Sequence, residues 1–122
     1  MDFKRQLESI RGRVEGAVGA LIMGTDGIPV EKVLGAAGAD ANLDVAAAEF
    51  VSVVRTAERA SANMGYGPLR ELVVSTARFH FVLRLMARDY FLVLVLGEGG
   101  NLGRGRFELR KAELDLAREF TF

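Results

Sequence analysis

Apolar residues recur along this chain with two periods, and the switches between them mark out its elements. Residues 2 to 13 place Phe3, Leu7 and Ile10 at intervals of four and three, on one face of a short helix opened by Asp2. Gly12 and Gly16 bracket its end, and the continuous apolar run Ala17 to Met23 that follows suits a buried strand. Gly24-Thr25-Asp26-Gly27 supplies the positive φ of a tight hairpin turn, so a strand over Ile28 to Val33 should return antiparallel. Pro29 removes an amide donor and places this strand at an edge, or itself at the strand's start. The small-residue stretch Leu34 to Asn42 has no period and reads as a loop.

A long helix is predicted from Leu43 or Asp44 to Met64, capped by Asn42 or Asp44, with Leu43, Ala47, Phe50, Val54, Ala57 and Met64 as its main stripe. Val51 and Val53 lie off that stripe and Ala46, Ala48 and Ala60 keep the flanks small, as expected of a helix covered on more than one side. Gly65-Tyr66-Gly67-Pro68 ends it. Three strands follow, over 69 to 77, 79 to 86 and 90 to 96. In the second, Phe79, Phe81, Leu83 and Leu85 alternate with His80, Val82, Arg84 and Met86. The joints Thr76-Ala77-Arg78 and Ala87-Arg88-Asp89 are too short for crossovers, which makes an antiparallel meander, and the last strand, apolar on both faces, should be central. A final helix over 102 to 120 carries Leu102, Leu109, Ala112, Leu116 and Phe120 toward the core. Phe107 and Leu114, seven apart, lie off its stripe and either flank the core or meet a partner.

The order α-β-β-α-β-β-β-α gives an α/β architecture, more narrowly α+β. It is a five-stranded antiparallel sheet with the long helix on one face and the first and last helices on the other. Residues 1–122 read as one domain, a length at which a single core suffices. Half the residues are apolar and 26% charged, an ordinary globular mixture. The amino-terminal stretch has the charges of a helix's first turn, not the basic start and apolar run of a secretion signal. With no apolar run near the ~20 residues that cross a bilayer, a soluble, cytoplasmic protein without membrane insertion is expected.

Sixteen basic and sixteen acidic residues cancel, whereas a nucleic-acid binder shows a basic excess. Arg104, Arg106, Arg110 and Lys111 cluster, but Glu108, Glu113 and Asp115 are interspersed, so no nucleic-acid partner is expected and a solvated, ion-paired helix face is. Absent cysteine rules out thiolate metal sites, disulfides and a cysteine nucleophile, and the lone histidine, His80, cannot build the usual zinc site. Gly97-Glu98-Gly99-Gly100-Asn101-Leu102-Gly103 precedes a helix but lacks the Lys and Ser/Thr of a phosphate-cradling loop. Ser52, Ser61, Ser75 and Thr76 have no histidine or lysine at motif spacing. No catalytic, metal or cofactor residue is therefore assigned.

The sequence does offer surplus apolar surface. The strand over 69 to 77 is an edge in a simple meander, and Leu69, Leu72, Val73 and Val74 do little to blunt it. Pairing that edge with a second copy would set two long helices side by side and make a symmetric dimer.

Taken together, Val14 to Val30, the small-residue loop before the long helix, Tyr90 to Leu96, Asn101-Leu102-Gly103 and Arg110-Lys111-Ala112 resemble the Roadblock family of dynein-light-chain-like domains. That resemblance implies a profilin- and longin-like fold and a dimer through the middle helix and third strand, here Val51, Val53, Leu72, Val73 and Val74. It also implies service as a platform or regulator for Ras-like small GTPases. Bacterial members look like regulators of such a GTPase in gliding motility and polarity, some stimulating hydrolysis by reshaping the switch region. Helix geometry makes Glu49, Ser52, Arg55 and Arg59 the candidates for partner contact, with an arginine finger from Arg55 or Arg59 disfavoured. The expected function is a non-catalytic homodimeric regulator or adaptor of a Ras-like GTPase. A structural scaffold of the motor-adaptor kind and a small-molecule sensory domain are the alternatives.

Overall fold

Tyr90–Gly97 forms β5, the strand around which the rest of the chain is arranged. The computed structural model describes residues 3–35, 43–86 and 89–120. In chain order the elements are α1 (Phe3–Arg13), β1 (Ala17–Gly24), β2 (Pro29–Leu34), α2 (Leu43–Asn63), β3 (Glu71–Ser75), β4 (Phe79–Met86), β5 and α3 (Leu102–Phe120). Strand order is β2-β1-β5-β4-β3, antiparallel throughout. The central position of β5 follows from its composition, since all six residues from Phe91 to Leu96 are fully buried. Each such side chain contributes about 1.5–3 kcal/mol by leaving water.

Alternation along the strands divides the core in two. Leu92, Leu94 and Leu96 of β5, with Ala20, Ile22, Val82 and Met86, meet Leu7 and Ile10 of α1 and Leu109, Ala112 and Leu116 of α3. Phe91, Val93 and Val95, with Leu21, Met23, Phe81 and Leu83, meet Ala47, Val51 and Val54 of α2. One long helix therefore covers one face and two helices the other, as the apolar periods predict. Pro29 opens edge strand β2, where its missing amide breaks no ladder.

Strand ends shift by one residue in β1, β2 and β5, and two further differences from the sequence reading bear on the candidate site. β3 is Glu71–Ser75 instead of 69 to 77. Pairing stops at Ser75 opposite His80, because Thr76 closes the joint with its amide on the Phe79 carbonyl (2.8 Å). Met64 lies beyond α2 and is 56% exposed, off the core stripe assigned to it. The chain unwinds there, with Gly65 at φ 69. Among the sequence readings, Asp2, residues 36 to 42 of the loop and Ala87-Arg88 lie outside the described residues, as do the side chains of Leu43, Asp44 and Phe120. Among the described residues no helix is long and apolar enough to cross a membrane.

Candidate functional site

The outer surface of α2 faces the segment that leads into the edge strand β3. The inward face of α2 is set by Ala47, Val51 and Val54, while Phe50 packs a tilted ring on Phe81 at 4.8 Å between centroids. Steps of three, three and four residues then bring Glu49, Ser52, Arg55 and Arg59 onto one exposed arc. Their sequence-derived grouping is thus a common face. Val51 and Val53 part company, being 8% and 42% exposed. Val51 packs within its own chain, whereas Val53 faces outward from α2.

Beside that arc runs a strip of small residues. Ser52, Val53, Thr56, Ala57 and Ala60 line a shallow groove of about 330 Å³, low enough for another helix to approach closely. On the other flank Arg55, Glu58 and Arg59 face Gly67, Pro68 and Leu69 across a wider groove of about 820 Å³, where the chain turns from α2 toward β3. Within β3, Leu72 and Val74 pack against the α2 side of the sheet and Val73 against the α1 and α3 side. All three are half-buried, and only β4 pairs with their strand among the described residues.

Arg55 has a role that sequence reasoning missed. Its Nη2 donates to the Thr25 carbonyl at 2.7 Å, joining α2 to the β1–β2 turn. That turn is built as the Asp-Gly pair predicts, with Gly27 at φ 85 and the Ile28 amide donating to Asp26 Oδ1 at 3.0 Å. The Thr25 amide donates to the Asp89 carbonyl at 2.8 Å, which ties in the β4–β5 turn as well. A guanidinium meeting a carbonyl 30 residues away leaves no periodic mark in the sequence.

Two polar residues of segments considered in the sequence, His80 and Asn101, have structural partners. His80 Nδ1 lies 2.8 Å from Ser75 Oγ across the β3–β4 hairpin. Asn101 caps α3, its Oδ1 accepting the Arg104 amide at 3.0 Å, and Gly100 before it lies against Gly16 of the α1–β1 junction. Among the described residues no group of three or more His, Cys, Asp or Glu could hold a metal ion. The assembled features are an exposed polar arc, a small-residue strip and an open strand edge, which suit contact with other protein chains.

The chain is similar to several solved structures. MglC from Myxococcus xanthus is 32% identical over 98% of this chain and 99% of that one, with a TM-score of 0.74. A Roadblock/LC7 domain from Streptomyces avermitilis superposes with a TM-score of 0.84 at 16% identity, covering 100% of both chains. The gliding protein MglB from Thermus thermophilus reaches 0.82 at 23% identity, over 93% of this chain and 84% of that one. Both of these lower identities speak to the fold alone. No family model and no curated protein matches the chain.

Proposed function

Because the chain belongs to the Roadblock/LC7 family, we propose that it is a homodimeric regulator or adaptor that binds a small Ras-like GTPase and brings no catalytic group of its own. The observation that carries the reading is the division of the outer surface of α2 between two kinds of contact. The small-residue strip with Val53 suits the close approach of a second helix, and the open edge of β3 suits a second strand, so each offers a contact to a second copy. The arc of Glu49, Ser52, Arg55 and Arg59 stays exposed for a partner. A symmetric dimer would extend the sheet through paired β3 strands and present two such arcs, so one GTPase could touch both protomers.

The similarity to MglC, and to a protein named for gliding, supports a role in that kind of regulation. The bond from Arg55 to Thr25 argues against a free arginine finger at that position and for an action through the shape of the partner's switch region. The test is binding of the purified protein to a Ras-like GTPase of the same organism, loaded with a GTP analogue and then with GDP. Strong preference for the GTP state is expected. Equal binding to both states would make the protein an adaptor that does not sense nucleotide, and no binding to either would sink the GTPase reading.

A further inference from the structure

Four of the large apolar side chains exposed among the described residues, Val45, Val53, Met64 and Tyr66, lie on α2 or just beyond it and belong with the face already described. The other four fall into two pairs with opposite charge around them. Ile28 (63% exposed) and Val30 share a groove of about 370 Å³ at the β1–β2 turn with the carboxylates of Asp26 and Asp89. Phe107 and Leu114 (68% exposed) share a groove of about 240 Å³ on α3 with Arg110 and Lys111. The Arg104 guanidinium stands 5.5 Å from the Phe107 ring, adding a third cation to that patch. Neither Arg110 nor Lys111 makes an ion pair among the described residues, whereas Arg84, Arg104 and Arg106 do.

We propose that these two patches bind each other between copies of this chain, the acidic β1–β2 turn of one copy seating in the basic groove of α3 on the next. Within one copy the patches sit on different parts of the surface. The turn closes β1 and β2 at one side of the sheet, while α3 lies over β4 and β5. Pairing either patch with its own likeness would bring like charges together. Pairing the two neutralises Asp26 and Asp89 against Arg110 and Lys111 and removes four exposed apolar side chains from water. The turn is held by its bonds to Asp89 and Arg55, so little ordering of that patch is needed on contact.

A contact of this kind is head-to-tail and does not close on itself, so it links copies into chains unless the rotation happens to return to the start. Two small patches make a contact at the weak end of the range, reversible and sensitive to salt. It is separate from the α2 and β3 face and from the GTPase reading, and its failure would leave both standing.

Sedimentation velocity of the full chain at rising concentration, in low and in high salt, tests it. In low salt the mass should grow with concentration beyond the unit present in high salt. Leu114→Glu and Ile28→Lys, both at exposed positions, should each abolish that growth while leaving the high-salt unit and the melting temperature unchanged. An equimolar mixture of the two should grow again, because the first keeps an intact turn and the second an intact α3 groove. Wild-type protein that stays at its high-salt mass, a single variant that grows like wild type, or a mixture that sediments as its parts would each overturn the proposal.

Discussion

Arg106 on α3 donates from both Nε (3.0 Å) and Nη2 (2.8 Å) to the same carboxylate oxygen of Glu71 on the edge strand β3. The other Glu71 oxygen lies 4.0 Å from Nη1 of Arg84 on β4, and Arg84 Nε donates to Glu113 of α3 at 2.7 Å. Four side chains thus fasten the open edge of the sheet to a helix. The hydrogen bond to Glu71, then its charge, raises the Arg106 guanidinium further above the usual arginine range. A raised value contributes stability in full below the ordinary one and loses it only as pH climbs through the raised one, so the arginine end of this link stays charged up to strongly alkaline pH.

Within that network the interior arginine should matter more than the exterior one. Arg84 is 14% exposed, and removing it leaves the half-buried Glu71 and Glu113 short of a partner. Arg84→Met is expected to cost about 1–3 kcal/mol in urea unfolding. Arg106 sits in solvent, where ion pairs are screened, and Arg106→Ala should shift the urea midpoint much less. Equal losses in the two variants would show that the exposed link shares the load.

Oligomeric state tests the α2 and β3 face. Val73 packs on the α1 and α3 side of the sheet and Val51 inside the chain, so charging either would disturb the fold as well as a contact. Val53 is exposed, and Val53→Glu is expected to reduce the mass in light scattering to one chain with stability changed by no more than about 0.5 kcal/mol. A dimer that survives this change would move the contact away from the small-residue strip.

Partner binding should respond to the polar arc in a graded way. Arg59 lines the groove beside β3, and none of the side-chain bonds described above uses it. Arg59→Glu should therefore weaken GTPase binding at least tenfold, about 1.4 kcal/mol, without loosening the β1–β2 turn. Arg55→Glu should weaken binding and also free the turn, read as faster amide exchange at Thr25 and Ile28. Full affinity in both variants would take the partner off this face.

The sheet was legible in the sequence wherever a pattern repeats. The two-sided apolar run of β5 placed it at the centre, the alternation in β4 divided the two cores, and Pro29 marked an edge. Helix periodicity alone grouped Glu49, Ser52, Arg55 and Arg59. What escaped depends on contacts between distant segments. An off-stripe valine can face inward or outward depending on how the helix rolls on its sheet, so Val51 and Val53 could not be told apart by spacing. The bonds from Arg55 to Thr25 and from Arg106 to Glu71 join residues 30 and 35 apart, and nothing local records them.

Two glycines near each other in sequence should respond oppositely to the same substitution. Gly16 joins α1 to β1 at φ 84, a conformation L residues avoid, and a Cβ there would come within 2.5 Å of the Gly100 Cα. Neither backbone can withdraw easily, because the Gly97 amide donates to the Gly16 carbonyl and the Asn101 amide to the Glu15 carbonyl, each at 2.9 Å. Gly16→Ala combines left-handed strain with a backbone clash and is expected to cost more than about 2 kcal/mol, enough to lower the melting temperature by several degrees. Gly12 lies in the last turn of α1 with open space where its Cβ would be. Gly12→Ala should raise stability by up to about 0.5–1 kcal/mol by restricting the unfolded chain. Thermal melts of the two variants decide it, and a Gly16→Ala protein as stable as wild type would mean that the junction and the β5–α3 turn do not approach as closely as described.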